Sequence, residues 1–229
     1  MPAQGNPTRF FHRFTSSNPG ITLLIADLSQ LNRRVSRKLE YIFTAVSEER
    51  GTHMPILRQI AQLGHPVLRQ ETLSVQDPFN PRVQSLIDDM MATVVEVNGV
   101  GISAPQVYEP LRIFIVASRP SIRYPHAPVM EAMAMLNPEL FWSSDEKEKG
   151  WEGCLSVPGI RGFVPRSKKV GIQYLTRSGV LQEVEFSDFI ARIFQHEFDH
   201  LNGIVFLDRI ENNRDLISEK EYLRIGNSA

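Results

Sequence analysis

The alternation of short strands and two amphipathic helices permits an α+β fold in a single domain. Three features lead there: two segments with apolar residues at helical spacing, short β-branched runs between them, and Gly-, Pro- and Asn-containing breaks that separate the two patterns. With 229 residues, 42% of them hydrophobic and 22% charged, the chain has the size and composition of one globular domain with some appended sequence.

The first breaks are Gly64-His65-Pro66 and Asn80-Pro81. In the second, asparagine can cap a helix and proline suits its first turn. Val83, Leu86, Ile87, Met90, Met91, Val94 and Val95 then recur on one side of a helix over 81–97, whose apolar face needs a sheet to cover it. Gly99 and Gly101 stop that helix. Arg112 to Ala117 follows as a β-branched run suited to a buried strand, and the proline-rich residues 119–130 form a loop. Met133 to Leu136 is a short strand, while Val170–Leu175 and Leu181–Phe186 flank Ser178-Gly179 as a hairpin. Ser187 is placed to cap a second helix from Asp188 to Asn202, which Gly203 ends. From Glu211 onward the chain is polar and reads as a loosely attached helix or tail.

A formal net charge of -1 gives no overall basic field, which argues against a nucleic-acid or acidic-lipid partner unless a local patch supplies one. The longest apolar stretches fall short of a membrane span. The lone cysteine, Cys154, rules out an internal disulfide and fits a reducing compartment. Residues 1–53 differ in composition: Arg9, Arg13, Arg33, Arg34, Arg37 and Lys38 are basic, and no acidic residue precedes Asp27. Such a stretch reads as an organelle-targeting segment or as an appendage without function, and Met54 as a possible true start.

The second helix carries Gln195-His196-Glu197-Phe198-Asp199-His200. Positions four apart on a helix differ by about 40° around its axis, so His196 and His200 can converge on one ion, with Glu197 beside them to act on water. Two histidines need a third protein ligand. One class of zinc protease places a third histidine six residues on, but Phe206 stands there. A later glutamate, Glu219 or Glu221, is a second answer, and the thiolate of Cys154 is a third.

Three separated motifs now stand in order: Gly99-Val100-Gly101-Ile102-Ser103-Ala104-Pro105-Gln106, Glu152-Gly153-Cys154-Leu155-Ser156, and Gln195-His196-Glu197-Phe198-Asp199-His200-Leu201-Asn202-Gly203. Together they make the chain resemble the peptide deformylases. The likeness runs from Met54 to Arg209, and its one departure in the first motif is Ile102-Ser103, where the family usually has Leu-Ala. The Ser103 hydroxyl requires a hydrogen-bond partner if buried.

The resemblance implies antiparallel sheets packed around a central His-Glu-x-x-His helix, with residues 1–53 as an extension, 54–210 as the catalytic domain and 211–229 as a tail. It implies one divalent metal held by Cys154, His196 and His200, with Fe2+ as the family's usual metal and Zn2+, Ni2+ or Co2+ as replacements. The substrate is then an N-formylmethionyl nascent peptide, met as it leaves the ribosome. Glu197 acts as general acid and base, while the Gln106 amide and the Leu155 backbone N–H meet the charge that forms on the carbonyl oxygen. Val100, Phe189 and Ile193 match positions around the methionine pocket, although the last two also read as plain core. Gly99 and Gly101 let a peptide approach the backbone closely. Asp199 has Arg192 and Arg166 as candidate partners, against a reading of solvated charges. A monomer in the cytoplasm is the expected setting, with a mitochondrion or plastid as the alternative if residues 1–53 are a transit peptide.

Overall fold

A computed structural model of the chain describes residues 53–226, and the expectations for residues 1–52 lie outside them. Helix α1 spans Pro81–Glu96; Asn80 caps it, its side chain accepting from the Arg82 N–H at 3.0 Å, with Pro81 in the first turn. Strands β1 (Gly101–Ser103), β2 (Ile113–Ser118), β3 (Met130–Ser143), β6 (Lys169–Leu175) and β7 (Leu181–Ser187) form a five-stranded sheet in the order β1-β2-β3-β6-β7. Every neighbouring pair in it is antiparallel.

Alternation along β2 explains how this sheet organises the core. Ile113 and Ile115 join Leu86, Ile87, Met90 and Val94 of α1, whereas Phe114 and Val116 join the cluster of the second helix, α2 (Asp188–Leu201), with Phe194 and Leu201. A strand buried on both faces reads as an apolar run, as Ile113 to Ala117 do here, and each large apolar side chain removed from water contributes about 1.5–3 kcal/mol. The sheet is thus covered by α1 on one face and α2 on the other. Ser187 occupies the N-cap position of α2, but its side chain makes no capping bond. Gly203, at φ +71°, follows the last turn and lets the Ile204 N–H reach the Asp199 carbonyl at 3.0 Å.

A second, three-stranded sheet joins β4 (Lys147–Cys154), β5 (Val157–Ser167) and β8 (Leu216–Ser218). The sequence pattern does not predict β4 and β5, because Lys147-Glu148-Lys149-Gly150 is charged and glycine-containing, unlike a strand with one buried face. Strand β3 is also far longer than Met133–Leu136. Asn137-Pro138 reads as its end, yet the chain absorbs Asn137, at φ 48°, in a register shift and continues.

The stretch from Glu211, expected as a loosely attached helix or tail, contains a strand and a helix. β8 pairs with β5, and helix α3 (Glu219–Gly226) follows it, with Tyr222 set 6.0 Å from the Trp151 ring. The compact unit therefore continues past Arg209, because Leu216, Ile217 and Tyr222 supply enough apolar and aromatic surface to dock a stretch that is otherwise polar. At its other end the unit begins at His53; Asp89 of α1, almost fully buried, accepts from His53, Arg58 and the Ile56 N–H and ties that segment down. No helix among the described residues is long and apolar enough to cross a membrane.

Candidate metal centre and active site

Three elements bring the site together. The helix α2 presents His196, Glu197 and His200 from its buried side. The β4–β5 hairpin turns at Leu155-Ser156 and places Cys154 at the last position of β4. Strand β1 leads into a short 3-10 turn, Ala104–Val107, which brings in Gln106.

The ligand atoms of Cys154, His196 and His200 lie within 4.8 Å of one another, with Cys154 Sγ 3.2 Å from His200 Nε2. No other such group of His, Cys, Asp or Glu side chains occurs among the described residues. Burial opposes ionisation of the Cys154 thiol, but His200 and His196 outweigh it and hold the thiol well below its ordinary range. A thiolate, the form a metal takes, is therefore favoured. Burial also pushes Glu197 up to about 7, in the range suited to moving protons near neutral pH. Its Oε2 is buried without a hydrogen-bond partner, as is Nδ1 of His200, whose Nε2 is the nitrogen beside the Cys154 sulfur.

Glu152, to which the second motif assigns no role, has one in the structure. Two residues before Cys154 in β4, its Oε2 lies 2.9 Å from His196 Nδ1, leaving Nε2 of that ring for the metal. Arg166 Nε and Nη2 hold the same carboxylate at 2.9 and 3.0 Å, and Arg192 Nη1 joins at 2.9 Å. Arg166 also donates to Asp199 Oδ2 at 2.6 Å, and Asp199 takes Arg209 on its outer side. Arg166 is accordingly the partner of Asp199, and Arg192 pairs with Glu152 instead; the solvated reading fails because Asp199 and Arg166 are buried.

The carboxylate alternatives for the third ligand are engaged elsewhere. Glu219 accepts from Arg161 at 3.1 Å and pairs with Arg123, and Glu221 pairs with Arg224. Gly99, Val100, Gly101, Gln106, Leu155, Phe189 and Ile193 all line one cleft with Cys154, His196 and Glu197. Phe189 and Ile193 are core and cleft wall at once, since both also pack in the α2 cluster. Gly101 has a reason beyond substrate approach: a Cβ there would overlap the Glu197 carboxylate. Sequence reading missed the other wall, where Tyr124, Arg161, Trp151 and Glu219 stand. Arg161 lies 5.1 and 4.4 Å from the Tyr124 and Tyr222 rings, an arrangement with no short-range sequence signal.

The polypeptide deformylase family model matches residues 57–215, a span that includes all three site-forming segments. The chain belongs to the peptide deformylase family. "Peptide deformylase 2" of a Nostoc species is 55% identical over 168 residues, covering 73% of this chain and 94% of that protein. Its namesake from Shewanella oneidensis is 49% identical over 150 residues, covering 66% and 82%. Among solved structures, a Met-Ala-Ser-bound class I type b peptide deformylase from Acinetobacter baumannii superposes with a TM-score of 0.67 at 48% identity, covering 69% of this chain and all of that one. A second, from Thermotoga maritima, gives 0.62 at 34% identity, covering 69% of this chain and 99% of that one.

Peptide deformylases are metal-dependent hydrolases that remove the N-formyl group from newly made peptides. The residues present fit such a metal. One thiolate and two imidazoles converge, the second nitrogen of His196 is fixed by a carboxylate, and an unpartnered carboxylate oxygen of Glu197 stands alongside.

Proposed function

We propose that Cys154, His196 and His200 hold one divalent metal and that Glu197 moves the protons in deformylation of N-formylmethionyl peptides by this chain. The observation that carries this reading is the convergence of those three ligand atoms beside a buried carboxyl raised to about 7. When bound, the metal polarises water and the formyl carbonyl as a Lewis acid. Glu197 takes a proton from the attacking water and passes it to the departing amide nitrogen, which leaves poorly until protonated. The Gln106 side-chain amide and the Leu155 N–H stand at the cleft to meet negative charge on the carbonyl oxygen, each worth about 3 kcal/mol in comparable sites. One water is consumed, and formate and a free methionine amine result.

Val100, Phe189 and Ile193 offer an apolar wall that suits an unbranched thioether. The backbone near Gly99 and Gly101 receives the extended peptide by main-chain hydrogen bonds, which tolerates varied residues after the methionine. Fe2+ is the proposed native metal. The same ligands favour Zn2+ by intrinsic affinity, so iron occupancy rests on supply in the cell, and air should inactivate the iron form. The protein acts as a monomer on chains emerging from the ribosome, in the cytoplasm or in an organelle that starts translation with formylmethionine.

The test is formate release from formyl-Met-Ala-Ser by anaerobically purified protein, with Glu197→Ala beside it. Release by the wild type that disappears in the variant, with metal content unchanged, is expected. No release from metal-replete wild type would overturn the function, and an active variant would remove Glu197 from its role.

A further inference from the structure

We propose that Ser103 is a positioning residue that sets and strengthens the Gln106 amide for the reaction, an inference that rests on the deformylase reading above. A carboxamide has a donor end and an acceptor end of nearly the same shape, and only the nitrogen end can meet a negatively charged oxygen. Gln106 and Ser103 are both fully buried, so protein groups alone decide which way that amide faces. Its Oε1 accepts from the Ser103 backbone N–H at 2.9 Å and from the Ser103 hydroxyl at 3.1 Å. Its Nε2 is thereby turned the other way, 3.3 Å from Cys154 Sγ and 3.3 Å from Ser156 Oγ.

The two bonds from Ser103 do different work. The backbone N–H excludes the reversed amide, which would set donor against donor, and any residue but proline supplies it at this position. The hydroxyl is particular to serine, and it sits where the first motif departs from the family's usual alanine. Donation into Oε1 draws electron density from the amide and makes Nε2–H a stronger donor. The group that benefits is the one facing the Cys154 sulfur and the cleft. Ser103 thus acts through Gln106 on two things: the charge formed on the carbonyl oxygen and the electron density of the thiolate ligand.

The experiment is a double-mutant cycle of Ser103→Ala and Gln106→Ala, read by formate release from formyl-Met-Ala-Ser and by the thiolate-to-metal charge-transfer band of the Co2+-loaded proteins. Loss of one hydrogen bond to a catalytic donor should lower kcat about three- to tenfold in Ser103→Ala with KM nearly unchanged. That penalty should vanish in the Gln106→Ala background, and the band of Ser103→Ala should move toward that of Gln106→Ala. An undiminished penalty in the Gln106→Ala background would show a structural effect and overturn the proposal. So would an unchanged kcat in Ser103→Ala. Should Ser103→Ala lose stability, the band of its folded fraction decides, and a wild-type band overturns the proposal. Failure of the underlying reading looks different: the wild type would release no formate, or Gln106→Ala would turn over at the wild-type rate.

Discussion

Replacing Glu152 by glutamine should cost both stability and metal affinity. Each oxygen of the Glu152 carboxylate takes two donors: Arg166 Nε and Arg192 Nη1 on Oε1, Arg166 Nη2 and His196 Nδ1 on Oε2. Glutamine keeps the shape, but it loses the charge and turns one acceptor into an NH2. Whichever way the amide lies, two donors then face a third. Breaking a buried pair by removing one partner costs about 3–5 kcal/mol, and because Arg166 keeps Asp199 at 2.6 Å the lower figure, about 3 kcal/mol, is expected. Loss of the carboxylate behind His196 should weaken metal binding by about ten- to a hundredfold. Burial opposes ionisation of Glu152, but Arg166 and His196 outweigh it and hold its pKa well below the usual carboxylate range. A carboxyl depressed on folding adds stability above its unfolded value and loses it as pH falls through the folded one. The gap between wild type and Glu152→Gln should therefore close as pH falls below about 5, whereas above that the raised His196 makes it shrink as pH rises. Urea unfolding of chelator-treated proteins and metal competition measure the two effects. A gap below about 1 kcal/mol at pH 7, or one that widens below about pH 5, would refute the reasoning.

Cys154→Ala should lose bound metal, whereas Glu219→Ala should keep it, as elemental analysis of both will show. Gly101→Ala should retain metal yet lose about a hundredfold in kcat, because the new methyl displaces the Glu197 carboxylate it would overlap. The pH dependence at Glu197 runs opposite to that at Glu152. Its folded value, about 7, lies above the ordinary 4.5, so its contribution is full below the unfolded value and is lost as pH rises through 7. Chelator-treated Glu197→Gln should therefore gain about 3 kcal/mol on wild type between pH 4 and pH 8, measured by urea unfolding.

The proposed ligands were legible because their chemistry leaves local signs. His196 and His200 are four apart on a helix, and Cys154 is the only cysteine in the chain. Helix α1, strand β2 and the β6–β7 hairpin were legible for local reasons too: α1 repeats a helical apolar period, β2 is an unbroken apolar run, and Ser178-Gly179 marks the hairpin turn. The β4–β5 hairpin was not, although it carries Cys154, Glu152 and Arg166. Its strands are held to α2 largely by charge, and charged residues in sequence read as solvated surface. Even so, Glu152 stands two residues from Cys154, and in an extended strand that spacing puts both side chains on one face. That sign was available once β4 was known to be a strand. The pairing of Arg166 with Asp199, and of Arg192 with Glu152, joins residues far apart in the chain and leaves no comparable sign.

Why the hairpin should meet the helix through buried charge is itself informative. Apolar side chains of similar volume would join the two elements as firmly or more so, because a buried ion pair gives back much of its attraction in desolvation. An apolar side chain could not, however, take up Nδ1 of His196, and that bond leaves Nε2 as the nitrogen for the metal. Arg166 in turn spans Glu152 and Asp199, so one residue from β5 fixes both a partner of the proposed metal ligand His196 and the last turn of the helix that carries it. The charge network therefore serves geometry more than cohesion. It follows that substitutions in it should disturb metal affinity more than a loss of stability alone would explain, which is the pattern the Glu152→Gln measurements are built to resolve.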